Sequence, residues 1–420
     1  MTTSTHSPGD TSTRQTVSGW LRAGRAALDK PATSYYLVFG SAALLLTLGL
    51  VMVLSASSVW SMQTSDNHSA YAIFLRQAVW VAVGLPLAFA ASRMPLWLLR
   101  RLAYIGLLLA IVLLAATFVP HLGVTVNGNR NWVQLGSSSL RIQPSEFAKL
   151  AMVIWSASVL AAKGRRLADP RHLVFPLIPV FGLLLALVLG GRDLGTALVL
   201  FAITLVTLFI VGVPLRWFMV AVIVVLGVIG FLVSQSPNRM RRVLSFSDPM
   251  ADPLGTGWQA SHSFFALASG GWWGVGIGAS KEKWGALPAA HTDFILAVIG
   301  EELGLAGTLV VLFLFLTLAY GGIRIAMRAR STFVTFAAVE IVAWLMAQAL
   351  VNFGAVTGLL PIAGIPLPLI SYGGSAMLPT LMAIGLLLNF ARAEPGAAEA
   401  LAGSSLRHRL GLARRKGAKA

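Results

Sequence analysis

Apolar runs of roughly 18–25 residues recur along almost the whole chain, each long enough to cross a hydrocarbon layer of about 30 Å at 1.5 Å per helical residue. Such runs leave few folds open, because inside lipid every backbone N–H and C=O must be satisfied within its own segment, which selects helices. The 420 residues are 56% hydrophobic and 11% charged, which excludes an ordinary soluble domain and leaves no stretch for a separate soluble enzyme. The expected fold is an all-α polytopic membrane protein with about ten transmembrane helices, at 35–56, 71–91, 97–119, 145–162, 172–190, 193–211, 215–233, 292–323, 333–357 and 373–391. A large structured extracytoplasmic loop, 234–291, separates the seventh helix from the eighth. Residues 1–34 and 393–420 read as basic cytoplasmic tails, the first disordered or interfacial, on either side of a membrane domain spanning 35–392.

Charge placement orients these spans. The formal charge of +17 is spread over the tails and short loops, which suits anionic lipid headgroups and not nucleic acid. With the N-terminus cytoplasmic, Arg93, Arg100 and Arg101, then Lys163, Arg165, Arg166 and Arg171, then Arg216, then Arg324, Arg328 and Arg330 all fall on that side. An even number of spans returns the basic C-terminus there as well. The chain has no cysteine, which removes disulfides, thiol nucleophiles and thiolate metal sites. Its seven histidines are scattered without metal-ligand spacing, so no metal site or cofactor is expected, and dependence on a divalent cation stays open.

Arg130, Arg141, Arg192, Arg239, Arg241, Arg242, Lys281 and Lys283 stand against this bias, on the outer side. Cations kept there suit an anionic partner carrying phosphate, although long loops also tolerate positive charge because the bias weakens with loop length. The composition of 234–291, rich in glycine and aromatic residues, reads as a folded or partly re-entrant cap. Trp258, Trp272, Trp273 and Trp284 would anchor it at the interface or stack on sugars. Pro361, Pro366 and Pro368, with Gly358 and Gly364, mark a broken segment on the same side.

The acidic residues divide into two groups. Asp10, Asp29, Asp169, Glu394 and Glu399 read as solvated surface charges. Glu146, Asp193, Asp293, Glu301, Glu302 and Glu340 fall at or within spans, where a carboxylate needs a partner or a polar cavity. Asp293 stands at the outer start of the eighth span, directly after His291 and Thr292. On a continuous helix Glu301 would lie about 12 Å along the axis from Asp293 and Glu302 nearly opposite it, so the three cannot serve one reacting atom. Asp293 is therefore the candidate acid–base residue for an external substrate, and Glu301, Glu302 and Glu340 are candidates for structural pairing. An ionised Asp293 would accept the proton of an attacking sugar hydroxyl while outer cations stabilise a departing pyrophosphate. Intramembrane charges also build transport paths, so a transporter or flippase for a lipid-linked precursor, and a non-catalytic scaffold, stand beside the enzyme reading.

Five segments carry a family likeness: "NGNRNWVQLG" with "QPSEFAK", "RDLGTALVL", "SFSDPMADPLGTGWQ", "GVGIGASKEKWGALPAAHTDFILAVIGEELG" and "NFGAVTGLLPIAGIPLPLISYGGSA". In this order they resemble the SEDS family (shape, elongation, division and sporulation), membrane glycosyltransferases that polymerise peptidoglycan from lipid II. The resemblance implies that Asp293 is the essential aspartate and Trp132 an outer-loop tryptophan needed for activity. It also implies that Gln143, Pro144, Ser145, Glu146 and Lys149 line or support the cavity. Asp193 falls in an Asp-Leu-Gly-Thr element, and Ser371, Tyr372, Gly373 and Gly374 in a late Ser-Tyr-Gly-Gly element. Lys281, Lys283, Arg239, Arg241 and Arg242 become candidate pyrophosphate contacts, with Arg130, Arg192, His291 and Thr292 as further cavity candidates. The chain departs from the family pattern at Asn131, at Gly191-Arg192 and at Ala289, and none of these removes Asp293. The implied partners are lipid II, a nascent glycan strand, a class B penicillin-binding transpeptidase and other divisome membrane proteins. "VMVLSASSVWS" and the extended tails resemble the division branch more than the elongation branch, which implies a place in the bacterial cytoplasmic membrane at the septum.

Overall fold

The computed structural model describes residues 30–403 apart from 66–67, 127, 135–140, 165–169, 236–239, 241–245, 247, 254 and 256. Arg239, Arg241, Arg242 and most of both tails lie outside the described residues. The helices are α1 (Thr33–Thr64), α2 (Ala72–Arg93), α3 (Leu96–Ala116), α4 (Pro144–Lys163), α5 (Pro170–Gly190) and α6 (Leu194–Ile210). They continue with α7 (Leu215–Ser234), α8 (Trp258–Gly270), α9 (Ile295–Arg328), α10 (Thr332–Val356), α11 (Met377–Arg392) and α12 (Ala397–Gly403).

Among the described residues, seven helical stretches are long and apolar enough to cross a membrane: α1 to α4, α9, α10 and Gly374–Arg392. Three shorter apolar helices, Phe175–Gly190, Leu194–Ile210 and Leu215–Val228, stand where the fifth to seventh spans were expected. The chain is a multi-pass, mainly helical membrane protein. Helices α4 and α10 form its axis and are buried along most of their length. Helices α2, α3 and α7 turn large apolar side chains outward, among them Val79, Phe89, Ile105, Leu108, Ile223 and Phe231, as lipid-facing helices do.

Four differences from the sequence reading have local causes. The loop after α3 carries a small sheet within the helical fold: β1 (Gly123–Val126), β2 (Asn129–Gln134) and β3 (Arg141–Ile142) pair antiparallel in the order β1-β2-β3. Val126 pairs with Asn129 and Gly128 has φ 82°, and the intervening Asn-Gly dipeptide is the strongest short hairpin signal in this loop. Helix α1 runs on to Thr64 instead of ending at 56, because the serines of its last turns face protein: Ser57 and Ser61 are fully buried, and Ser61 Oγ donates to Ser69 O at 2.7 Å. The eighth span starts at Ile295 and is broken at Gly304, whose φ of 69° and ψ of −166° are open only to glycine. Asp293 is thus in the turn before a helix, and the continuous wheel drawn through Glu301 and Glu302 does not apply to it. Finally, Glu394 is buried and paired with Arg328 at 3.3 Å, where a solvated charge was expected.

The break at Gly304 has a partner. The chain after α8 lies along it, with Val275 N–H donating to Glu301 O at 2.9 Å, Gly276 N–H to Glu302 O at 3.0 Å, and Leu305 N–H to Gly271 O at 2.9 Å. A Cβ on Gly274 would stand 2.2 Å from Glu302 O, so only glycine permits this approach. In the described part of 234–291, helix α8 packs against α9 and α10, and a short turn at Glu282–Trp284 packs against α1 and α8 with Lys283 paired to Glu302.

Candidate active site

The Asp293 backbone is held from three sides. Tyr372 N–H donates to His291 O at 2.9 Å, Ser371 Oγ to Thr292 O at 2.6 Å, and Asn352 Nδ2 to Asp293 O at 2.7 Å. Three consecutive carbonyls are thereby fixed by the 357–373 segment and by α10. The carboxylate is partly exposed at a small cleft of about 210 Å³, open space included, lined by Asp293, Phe294, Asn352, Ile362, Gly364 and Ile365. Gly364 has φ 68°, and a Cβ built on it would come within 3.6 Å of Asp293 Oδ2, so its bare Cα forms the wall facing the carboxylate.

His291 and Tyr372 pack beside this turn with their rings 5.8 Å apart. Burial holds the His291 imidazole down, to about 4, so it is neutral at pH 7 and cannot act there as a cation for pyrophosphate. Burial pushes the Tyr372 phenol up, against the opposing pull of the Arg76 charge. Ser371 accepts from Leu367 N–H at 2.8 Å while donating to Thr292, so its hydroxyl serves as a brace in this structure.

A second polar centre at the same face gathers around Asp193. Its carboxylate caps α6 by accepting from Thr196 N–H at 3.0 Å and Thr196 Oγ1 at 2.9 Å. It also accepts from Asn131 Nδ2 at 2.9 Å and Gln143 Nε2 at 3.3 Å. Asp193 therefore ties the sheet and the start of α4 to α6. Gln143 N–H donates to Ser375 Oγ at 3.0 Å, and Arg130 N–H to Gly191 O at 2.8 Å, which links the sheet to the late segment and to the α5–α6 turn. Trp132 sits on β2 opposite Val124 and is partly exposed; Arg192 is exposed with φ 64°. Ser145 is buried near the start of α4, and its hydroxyl has no hydrogen-bond partner among the described residues.

Deeper charges are paired. Lys149 donates to Glu146 at 2.7 Å and to Gln348 Oε1 at 3.0 Å, all three nearly inaccessible. Lys283 is buried in an ion pair with Glu302 at 2.9 Å, and Ser55 Oγ donates to the same carboxylate. Its ammonium is thus committed to internal pairing, whereas Lys281 is exposed. Glu301 accepts from Ser280 Oγ at 2.5 Å and from Lys281 N–H at 2.8 Å, and Glu340 accepts from Ser156 Oγ. The three glutamates thus sit in internal hydrogen-bonded positions. The sequence reading did not single out Asn352 or Gln348. Their spacing of four on α10, in register with Trp344 and Glu340, was the available signal: a polar stripe along an otherwise apolar helix. No group of three or more His, Cys, Asp or Glu able to hold a metal ion occurs among the described residues.

Fold and site define a multi-pass membrane protein that carries a fixed carboxylate, with polar surroundings, at one face of its helix bundle. The chain belongs to the family of cell cycle proteins FtsW, RodA and SpoVE, whose family model matches residues 35–395. It is 42% identical over 394 residues to the probable peptidoglycan glycosyltransferase FtsW of Mycobacterium tuberculosis, covering 94% of this chain and 73% of that protein. It is 38% identical over 354 residues to stage V sporulation protein E of Bacillus subtilis, covering 83% and 94%. Among solved structures, it is similar to a chain described under "Structural coordination of polymerization and crosslinking by a peptidoglycan synthase complex", with a TM-score of 0.68, 29% identity, and coverage of 85% and 97%. It is also similar to rod shape determining protein RodA of Thermus thermophilus, with a TM-score of 0.62, 26% identity, and coverage of 86% and 97%.

Proposed function

We propose that the protein is a peptidoglycan glycosyltransferase of the division type, which polymerises lipid II at the outer face of the cytoplasmic membrane. The observation that carries this reading is Asp293, a carboxylate at the mouth of a cleft with its backbone fixed on three consecutive carbonyls. The C4 hydroxyl of an acceptor N-acetylglucosamine attacks C1 of the N-acetylmuramic acid that ends the growing strand. The C1–O bond to undecaprenyl pyrophosphate breaks, the hydroxyl proton passes to Asp293, and the leaving group departs as an anion. An α-linked donor then yields a β-1,4 link by direct displacement. One base suffices because pyrophosphate needs no proton to leave; an ordinary glycosidase, with a poorer leaving group, uses a second carboxylate as acid. Cations at this face, Arg130, Arg192 and Lys281 among the described residues, stand as the pyrophosphate contacts.

The basic residues of the opposite face, among them Arg93, Arg100, Arg324, Arg328 and Arg330, support cytoplasmic termini by the positive-inside rule. The similarity to a chain of a peptidoglycan synthase complex that coordinates polymerization and crosslinking supports a class B penicillin-binding transpeptidase as partner, and a septal location with further divisome partners belongs to the same proposal. The mechanism uses no resident cofactor, and divalent cations enter as a variable of the assay. A transport path would need accessible charges through the membrane depth, whereas Glu146–Lys149 and Glu302–Lys283 are neutralised pairwise in buried packing.

The test is polymerisation of labelled lipid II by the purified protein in lipid or detergent, alone and with its cognate transpeptidase, comparing wild type with Asp293→Asn at matched folding. Polymer from wild type only is expected. Equal polymer from both would remove Asp293 from the chemistry, and no polymer from either, with lipid II translocated instead, would replace the polymerase reading with transport.

A further inference from the structure

Asn352 is 2% exposed on α10, and it joins the two walls of the Asp293 cleft through one atom. Its Nδ2 donates to Asp293 O at 2.7 Å and to Ile365 O at 2.8 Å. The amide orientation follows from its partners, since two carbonyls can only accept. Ile365 directly follows Gly364, the residue whose bare Cα faces the Asp293 carboxylate. Both protons of one amide group therefore set the spacing between the carboxylate's own residue and the wall opposite it. Ser371 Oγ also ties the two segments, between Leu367 N–H and Thr292 O, whereas Asn352 bonds Asp293 itself and the residue next to Gly364. One turn along α10, Gln348 Nε2 repeats the contact by donating to Pro366 O at 3.2 Å, and its Oε1 is held by Trp344 Nε1 at 2.8 Å and by Lys149. The strap that carries Gly364 is thus fastened at two consecutive residues to a helix whose own polar side chains are fixed.

We propose that Asn352 is a positioning residue for glycosyl transfer: it holds the Asp293 carboxylate at its working distance from the reacting hydroxyl by locking both walls of the cleft to α10. The assignment rests on the polymerase reading. Asn352 Oδ1 is buried without a hydrogen-bond partner among the described residues, so the side chain's bonding is spent on this bridge. A carboxylate base misplaced by about 1 Å loses up to about 10²-fold in rate, while substrate contacts made elsewhere persist. The bridge thus bears on turnover more than on substrate affinity.

The experiment measures lipid II polymerisation by the full-length protein with its transpeptidase for wild type, Asp293→Asn, Asn352→Ala and the isosteric Asn352→Asp, which has no donor when ionised. Thermal midpoint and lipid II binding are measured on the same samples. The expected result is a kcat lowered about 10- to 100-fold in both Asn352 variants, with KM and lipid II binding within about threefold of wild type. Wild-type kcat in either folded variant would overturn the proposal, as would a loss confined to KM. So would collapse of the thermal transition in both variants, which would make Asn352 a brace for the fold alone. Failure of the wild type to make polymer is read separately, since it removes the polymerase reading on which the assignment stands.

Discussion

Asp293 and Glu302 lie nine positions apart in one stretch, carry the same functional group, and have opposite surroundings. Glu302 is fully buried, paired with Lys283, and bonded by Ser55. Asp293 is partly exposed at a cleft, and its backbone carbonyl accepts from Asn352 Nδ2. The difference separates a packing charge from the proposed catalytic one. A charge buried in a membrane protein must be neutralised where it stands, so Glu302 serves the packing of the cap on the broken helix. A carboxylate that exchanges protons with a substrate has to remain reachable, so its position is fixed by other means.

The comparison is broken most directly by exchanging the effects. Asp293→Asn should lower polymerisation by about 10³-fold, the range of a lost general base, with the thermal midpoint unchanged. A large loss of stability in this variant would make Asp293 another Glu302. Lys283→Met leaves Glu302 buried without its counter-charge and should destabilise the fold by about 3–5 kcal/mol in a denaturant titration. Adding Glu302→Gln should restore most of that loss; if it does not, the pair is not the source of the effect. Gly304→Ala tests the break in α9 just beyond Glu302. Its Cβ would fall 2.4 Å from Gly274 N on a backbone open only to glycine, so a loss of about 1–3 kcal/mol is expected, or more if the cap must shift.

The smallest effect sharpens the Asp293 side of the comparison. His291 titrates near 6.5 when unfolded and near about 4 when folded, so the unfolded chain binds more protons between those values. The stability that depends on its neutral form is complete above about pH 6.5 and declines as pH falls toward 4. His291→Gln should therefore flatten the fall of the thermal midpoint over that window relative to wild type. An unchanged slope would show that His291 takes up its proton in the folded protein as readily as in the unfolded one.

The helices of this protein were legible because lipid imposes a length and a composition on any crossing segment. The segment Pro144–Lys163 and the break near Pro361–Pro368 follow from local patterns alone. The sheet at 123–142 was missed although its Asn-Gly turn was visible, because the loop was read for charge and not for hairpin pattern. Asp293 stood out as a carboxylate at the outer start of a span, directly after His291 and Thr292. Glu301, Glu302 and Glu340 were separable from it on depth, and Lys283 was not, since nothing local distinguishes a lysine that pairs inside from one that faces a ligand. Asn352 escaped because an amide carries no charge to make it conspicuous in an apolar helix.

From the sequence alone it followed that the chain crosses a membrane many times, and Asp293 was marked as the candidate for acid–base chemistry. Both rest on properties of single segments: twenty apolar residues satisfy their own backbone as a helix, and a carboxylate at the edge of an apolar run needs a partner or a polar cavity. Only the tertiary structure decided which charges cancel, where α9 breaks, and what fixes Asp293. Lys283 meets Glu302 across a folded loop, Gly274 approaches Glu302 closely enough to require its lack of a side chain, and Asn352 reaches Asp293 from 59 residues along the chain. Such contacts depend on the approach of segments distant in sequence, and close approach is a property of the packed whole.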